Sequence, residues 1–267
     1  MIENSKNKSM EYATVLKIEE IAPSMMDLWI QSKSIAESTK PGQFLSIYCK
    51  DESRLLPRPI SICEINQTID GIRLIFRVVG KGTMEFSNLS AGDSIKVLGP
   101  IGNGFSLESK PALIIGGGVG IPPLLELSKR LKEKNITNEI RIVLGYRDND
   151  LFLKEELEKY GEVFVATEDG SVGEKGTVMN VLENMMLNND LIYSCGPKPM
   201  LRAVKNFAKE RNIKAQISME EKMACGIGAC LACVCKTKEI DEHSNVHNKR
   251  VCVDGPVFYA DEIEIDD

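Results

Sequence analysis

The chain has 267 residues, 43% of them hydrophobic and 27% charged, which suits two domains with a small appendage and excludes a disordered polymer. Its 33 Lys and Arg against 39 Asp and Glu leave a net charge of -6, so no broad basic surface is available for nucleic acid or anionic lipid. The first ten residues are polar and lack the apolar centre of a signal peptide, and no later apolar run approaches a membrane span. A soluble, cytoplasmic protein without a nucleic-acid or membrane partner is expected.

Residues 1–9 read as a disordered tail. From there to Leu107 the chain offers short β-rich runs, among them FLSIYC, PISICEI and IRLIFRVV, separated by turn signals such as Pro41-Gly42 and Asp70-Gly71. This predicts an antiparallel β-barrel over residues 10–107. The pattern changes at Pro111. ALII leads into Gly116, Gly117 and Gly118, then a helical run LLELSKRLKEK and the strand-like IRIVLGY, which is a βαβ unit. EVFVAT, the helical VMNVLENMML, LIYSCG and a helix around Met200 to Glu210 continue the alternation. A parallel sheet covered by helices is therefore predicted over residues 108–216. Residues 217–267 abandon periodicity for cysteines and small residues, and such a tail depends on a metal centre for much of its stability.

Cys225, Cys230 and Cys233 are spaced C-x4-C-x2-C, with Cys252 following, as in plant-type ferredoxins that hold a [2Fe-2S] cluster. Gly226, Gly228 and Ala229 are small enough for the backbone to wrap closely and direct N–H groups at sulfur. The competing reading is structural zinc, but zinc sites usually pair two short C-x2-4-C knuckles. Cys235 lies two residues beyond Cys233 and stands outside the ligand set; Cys49 and Cys63, in strand-like apolar runs, read as core. His243 and His247 would be needed for a Rieske centre, yet their H-x3-H spacing beside four better-placed cysteines makes them solvated loop residues.

RPIS, Arg58 to Ser61, puts a guanidinium and a hydroxyl at the edge of the expected barrel, and GKGT, Gly80 to Thr83, opens a helix with Thr83 as a candidate N-cap. Each alone is equally a surface charge or a plain turn and cap. Together they resemble the flavin site of the ferredoxin reductase-like superfamily. That resemblance implies Arg58 and the helix start, with Gly82 and Thr83, at the FAD pyrophosphate; Ser61 at the flavin ring; Ile75, Phe76 and Arg77 on the adenylate side; and Pro59 and Ile60 among the FAD-binding residues. GGGVGIPP lies between a strand and a helix, so Gly116, Gly117, Gly118 and Gly120 can bring backbone close to a dinucleotide, and Pro122 can start the helix. It is not a strict G-x-G-x-x-G. SCGPKPM, with Cys195, Gly196 and Pro197, ends another strand, where ligands of open parallel sheets bind. The resemblance places Cys195 near the nicotinamide, while its composition fits a core residue equally well.

The order RPISICEI, GKGT, GGGVGIPP, SCGP, MACGIGACLACVC and VCVDGPVF resembles, over nearly the whole chain, the electron-transfer subunits of type B, NAD-linked dihydroorotate dehydrogenases. The resemblance implies an FAD-binding barrel, an NAD-binding α/β domain and a small C-terminal [2Fe-2S] domain. It further implies an FMN-containing catalytic partner, in a two-plus-two heterotetramer, that oxidises dihydroorotate in pyrimidine biosynthesis. Electrons would then travel through the cluster and FAD to NAD, a substrate rather than a resident group. No residue offers itself as acid or base for dihydroorotate, so proton abstraction falls to the partner. Related subunits of a sulfide dehydrogenase or an NADPH–ferredoxin oxidoreductase share these modules and are the near alternative; a cluster-bearing redox sensor is the distant one. Arg147 favours a 2′-phosphate and Asp148 opposes it, so the residues leave NAD against NADP open.

Overall fold

The computed structural model describes residues 9–137, 139–187, 190–240 and 245–265. Its elements run β1 (Ser9–Ala22), β2 (Met25–Gln31), α1 (Lys33–Ser38), β3 (Phe44–Ile47), β4 (Arg58–Asn66), β5 (Gly71–Arg77), α2 (Lys81–Ser87) and β6 (Ser94–Ile101). These are followed by β7 (Ala112–Gly117), α3 (Pro123–Glu133), β8 (Ile140–Tyr146), α4 (Lys154–Leu157), β9 (Glu162–Thr167), β10 (Glu174–Lys175), α5 (Val178–Glu183), β11 (Leu191–Cys195), α6 (Lys198–Glu210) and β12 (Ala215–Ser218). The tail adds β13 (Val234–Lys236), β14 (Asn248–Arg250) and β15 (Val257–Tyr259).

Alternation along the first six strands, broken by irregularities such as those between Val15 and Lys17 and between Ile62 and Glu64, sends one set of side chains inward, and the strands close into an antiparallel barrel of order β1-β2-β5-β4-β3-β6. Its interior is filled by Val15, Leu28, Ile30, Leu45, Ile47, Ile72, Leu74 and Val97. The expected disordered tail over residues 1–9 lies outside the described residues except for Ser9, which opens β1 opposite Gly99. The second sheet has the order β10-β9-β8-β7-β11-β12-β15. Six of its strands are parallel, as expected; the seventh, β15, is antiparallel to β12 and comes from the cysteine-rich tail. The tail therefore completes the edge of the α/β sheet rather than forming an isolated appendage.

Two further cores join these layers. Met25, Cys63 and Ile75 on the outside of the barrel meet Ile121, just before α3, and Leu124 and Leu125 from its first turn. On the opposite side Phe44, Leu98 and Ile101 share a core with Ile115, Ile217 and the tail residues Cys233, Val251, Cys252 and Phe258. Polar contacts orient the first of these interfaces. The Arg73 side chain, buried in β5, donates to Asp27 at 2.7 and 3.0 Å within the barrel and to Glu156 of α4 at 2.5 and 3.1 Å. Buried Glu126 of α3 accepts the Ile65 amide of β4 at 3.0 Å, and Lys129 reaches Glu64 at 3.0 Å. Burial pushes the Glu126 carboxyl above its usual range, with Arg130 offsetting part of that cost.

Replacing Arg73 by Ala strands the buried Asp27 carboxylate, and breaking a buried pair from one side costs about 3–5 kcal/mol. Denaturant unfolding of Arg73→Ala is expected to show that loss; a change under about 0.5 kcal/mol, typical of a surface site, would mean the network carries no net stability.

Candidate functional site

A cleft of about 490 Å³ lies where barrel, sheet and tail meet, lined by Arg58 to Ser61, Ile75 to Arg77, Val79 to Thr83, Val119, Ser218 to Glu221, Met223 and Pro256. All nine residues singled out from RPIS, Ile75 to Arg77 and GKGT therefore line one wall system. They converge because β4 and β5 are antiparallel neighbours: Arg58 begins one strand and Arg77 ends the other, so both sit at the same barrel rim. Arg58 donates to the carbonyl of Leu56 and lies across Gly82, where a Cβ would meet its Nε at 2.3 Å. The absent side chain at Gly82 is thus the space the guanidinium occupies.

Thr83 does not cap the helix as its position in GKGT suggests. The N-cap is Gly80, and Thr83, at the third helical position, accepts the amides of Gly80 at 3.2 Å and Val79 at 3.0 Å through its hydroxyl. The helix starts at Lys81 because that back-reaching hydroxyl satisfies donors ahead of it.

A second cleft, about 310 Å³, is lined by Pro23 to Met25, Arg77, Val78, Gly118, Tyr146 to Asp148, Asp150 and Phe152. Arg77 belongs to both clefts, and the adjacent Gly118 and Val119 face one each. Gly118 adopts φ +53, and Gly120 lies so close to the next strand end that a Cβ would stand 2.4 Å from the backbone of Cys195 and Gly196. The two glycine-bearing turns are therefore in contact at the carboxyl ends of β7 and β11. A Cβ on Gly117 would stand 2.7 Å from the Met200 sulfur of α6, and one on Gly116 2.7 Å from Leu124. The Cys195 thiol is buried in the interface core and pushed up to about 12, mainly by desolvation. Its side chain is a core residue here, and its backbone is what the glycine loop meets.

In the tail, Cys225 has Cys230 and Cys233 has Cys252 near enough for the neighbour to shift its thiol. Burial pushes the Cys225 thiol up, but N–H donation from Ile227, at 3.5 Å, and the Cys230 contact outweigh it and bring it to about 7. The contact with Cys252 draws Cys233 down to about 6 and pushes Cys252 up. Positive φ at Gly226, Gly228 and Leu231 turns the loop back on itself around these sulfurs. Among the described residues no three or more Cys, His, Asp or Glu gather as ligands of a single ion.

Cys235 stands apart from both pairs, buried and pushed up to about 11 by desolvation. Cys63 is buried and Cys49 half-buried. His247 is exposed, its ring 2.8 Å from the Lys238 carbonyl; His243 lies outside the described residues.

Sequence reasoning missed the segment Ser218 to Met223, which lines the first cleft on its way from β12 to Cys225. Glu220 there is open to the cleft, yet the enclosing protein pushes its carboxyl above the usual range. No periodicity marks this stretch. Its only local signal was its position between a strand and the first ligand-type cysteine.

The family model described as iron-sulfur cluster binding domain of dihydroorotate dehydrogenase B matches residues 220–264, and that for an oxidoreductase NAD-binding domain matches residues 114–206. The chain is 44% identical over 260 residues to a dihydroorotate dehydrogenase B (NAD(+)) electron transfer subunit of Bacillus velezensis, covering 95% of this chain and 98% of the relative. It is 41% identical to the Fusobacterium nucleatum protein of the same description, covering 96% and 99%. Among solved structures, the NADH-dependent reduced ferredoxin-NADP oxidoreductase, described for flavin-based electron bifurcation, superposes with a TM-score of 0.85 at 30% identity, covering 95% of this chain and 90% of that one. The ferredoxin reductase of carbazole 1,9a-dioxygenase shares the fold, with a TM-score of 0.66 at 19% identity, covering 77% of this chain and 67% of that one.

The contact between the glycine turns yields a stability test. Gly120→Ala drives a methyl into backbone that cannot swing aside, and overpacking of this kind costs about 1–3 kcal/mol. Thermal or denaturant unfolding should register that loss, and a variant as stable as wild type would show that the two turns separate freely.

Proposed function

The chain belongs to the family of dihydroorotate dehydrogenase B (NAD(+)) electron transfer subunits, and from that membership we propose that it holds FAD in the first cleft and a [2Fe-2S] cluster on the four paired cysteines, and receives electrons from an FMN-containing catalytic subunit. It is an oxidoreductase subunit that passes electrons toward NAD+ and works only with a catalytic partner. One observation supports the cofactor reading above the others. The cleft holding Arg58 to Ser61 and Gly80 to Thr83 is bounded on one side by Val119, whose neighbour Gly118 lines the second cleft, and on the other by the segment leading into Cys225. A single chain thereby supplies three adjacent sites.

When bound, the flavin and the iron–sulfur centre supply the interconversion between one-electron and two-electron transfer that hydride chemistry with nicotinamide requires. The chain's own residues bind, orient and shield. Arg58, held across Gly82, offers its guanidinium to a pyrophosphate. Ile60, Ile75 and Phe76 form apolar wall, and Ser61 places a hydroxyl among them. The Gly118 to Gly120 turn admits a dinucleotide close to backbone, at the carboxyl ends of parallel strands. Arg77 and Arg147 balance Asp148 and Asp150 on the second cleft, so its charge is neutral toward a 2′-phosphate and the preference for NAD rests on the family. The loop around Cys225 and Cys230 presents amides to sulfur and leaves Cys230 exposed, where a partner can reach it. Acid–base work on dihydroorotate belongs to that partner, in an assembly of two copies of each subunit. The boundaries proposed for the three units are residues 10–107, 108–216 and 217–267, with β15 reaching back from the last into the second. With no helix among the described residues long and apolar enough to cross a membrane, we place the assembly in the cytoplasm.

Arg58→Ala is expected to weaken FAD binding tenfold or more, since a charge-assisted contact to phosphate contributes about 1.5–3 kcal/mol; equilibrium dialysis at wild-type affinity would return Arg58 to the role of a surface charge. Cys225→Ser and Cys252→Ser should deplete iron and acid-labile sulfide while Cys235→Ser retains both. Equal loss in all three would show the ligand choice to be wrong. The purified chain should oxidise NADH with an artificial acceptor and leave dihydroorotate untouched until the FMN subunit is added; orotate formation by the chain alone would sink the division of labour.

A further inference from the structure

We infer that the outer face of the barrel at β1 and β6 forms, together with the cysteine loop, one docking surface for the FMN-containing partner, with Met10 and Tyr12 as its anchors. The inference rests on the electron-transfer reading above. Directly opposed residues of antiparallel strands share a face, and the register places Met10 opposite Leu98, and Leu98 opposite Ser46 of β3. This row points away from the barrel interior, which is filled from the alternate positions Ala13, Val97 and Ile47. At one end the cysteine loop seals the row: Gly226 sits over Ser46, where a Cβ would stand 3.0 Å from its Oγ. Ser46 and Leu98 are consequently buried.

At the other end nothing in the described chain covers it. Met10 is 54% exposed and Tyr12, two residues on and facing the same way, 73%. Beyond the seal, Ile227 is 55% and Leu231 44% exposed on the loop itself. Four large apolar side chains thus flank one buried seam. Strands are spaced about 4.8 Å apart, which puts Met10 roughly 10 Å from Ser46.

The occupant follows from area. A partner that exchanges electrons through this loop must cover exposed Cys230. Stable interfaces bury about 800 Å² on each side, a round footprint of roughly 16 Å radius. Centred on the cysteine loop, such a footprint cannot avoid the Met10 and Tyr12 face. Exposed apolar clusters of this kind mark interaction surfaces, and aromatic residues and Met are enriched at their centres. A second copy of this chain would have no reason to be centred on the electron exit.

The test uses the full chain and the FMN-binding catalytic subunit of the same organism. Met10→Asp combined with Tyr12→Asp should lower the calorimetric affinity between the subunits tenfold or more, with flavin content and NADH oxidation by the isolated chain unchanged. Met186→Asp, at a position 87% exposed beside Arg141 of β8, should bind as wild type. Oxidative footprinting should find Tyr12 protected in the complex. Wild-type affinity of the double variant, or equal labelling of Tyr12 with and without partner, overturns the docking surface alone. So does sedimentation showing that the isolated chain self-associates through this face. An isolated wild-type chain unable to oxidise NADH overturns the functional reading, and this proposal with it.

Discussion

The contact of Arg73 with Asp27 and Glu156, backed by the Ile65 amide on Glu126, sets the angle at which barrel and sheet meet. Both clefts lie along the interface that this network spans. Arg77 serves the two clefts from a single strand end, while Gly118 and Val119 approach it from the other domain. An apolar interface alone tolerates sliding, because dispersion and burial are not directional. A bidentate guanidinium and a buried carboxylate with one amide partner admit far fewer arrangements. The network therefore acts as the geometric reference for the two clefts, whose walls come from both sides of the interface.

The tail is bound into the same frame rather than attached to it. β15 extends the parallel sheet by one antiparallel strand. The Asn103 side chain, just after the last barrel strand, donates to the carbonyls of Val253 and Asp254 at 3.2 and 3.0 Å. Cys233 and Cys252 lie in a core shared with Phe44 and Ile217. One sulfur pair is thus anchored in the interior, whereas Cys225 is half-buried and Cys230 exposed on the loop outside. That polarity, one pair inside and one pair at the surface, is what a relay between an internal cleft and an external partner needs.

Much of the site was legible in residue order because its chemistry is local. Thiolate spacing, a guanidinium before a proline-marked strand, and glycine turns between strand and helix each reflect what a few consecutive residues can do. Reading failed where the cause lay in another segment. Thr83 was expected to cap α2, but Gly80 does so, because the hydroxyl satisfies amides ahead of it instead. Cys195 fitted the nicotinamide site or the core equally well, and only Gly120 pressing on its backbone decides that the thiol faces the interior. Residues 218–223 carried no periodicity, yet most of them line the larger cleft.

By itself the sequence determined the two architectures and pointed to three candidate ligand-binding motifs and four ligand-type cysteines, since periodicity, turn chemistry and ligand spacing act over a few residues. Tertiary structure alone decided that the motifs face one another across a single interface, that the sulfurs fall into an inner and an outer pair, and that the tail closes the sheet. Those outcomes depend on contacts between residues far apart in the chain, such as Arg73 with Glu156 and Asn103 with Val253, which no local pattern encodes.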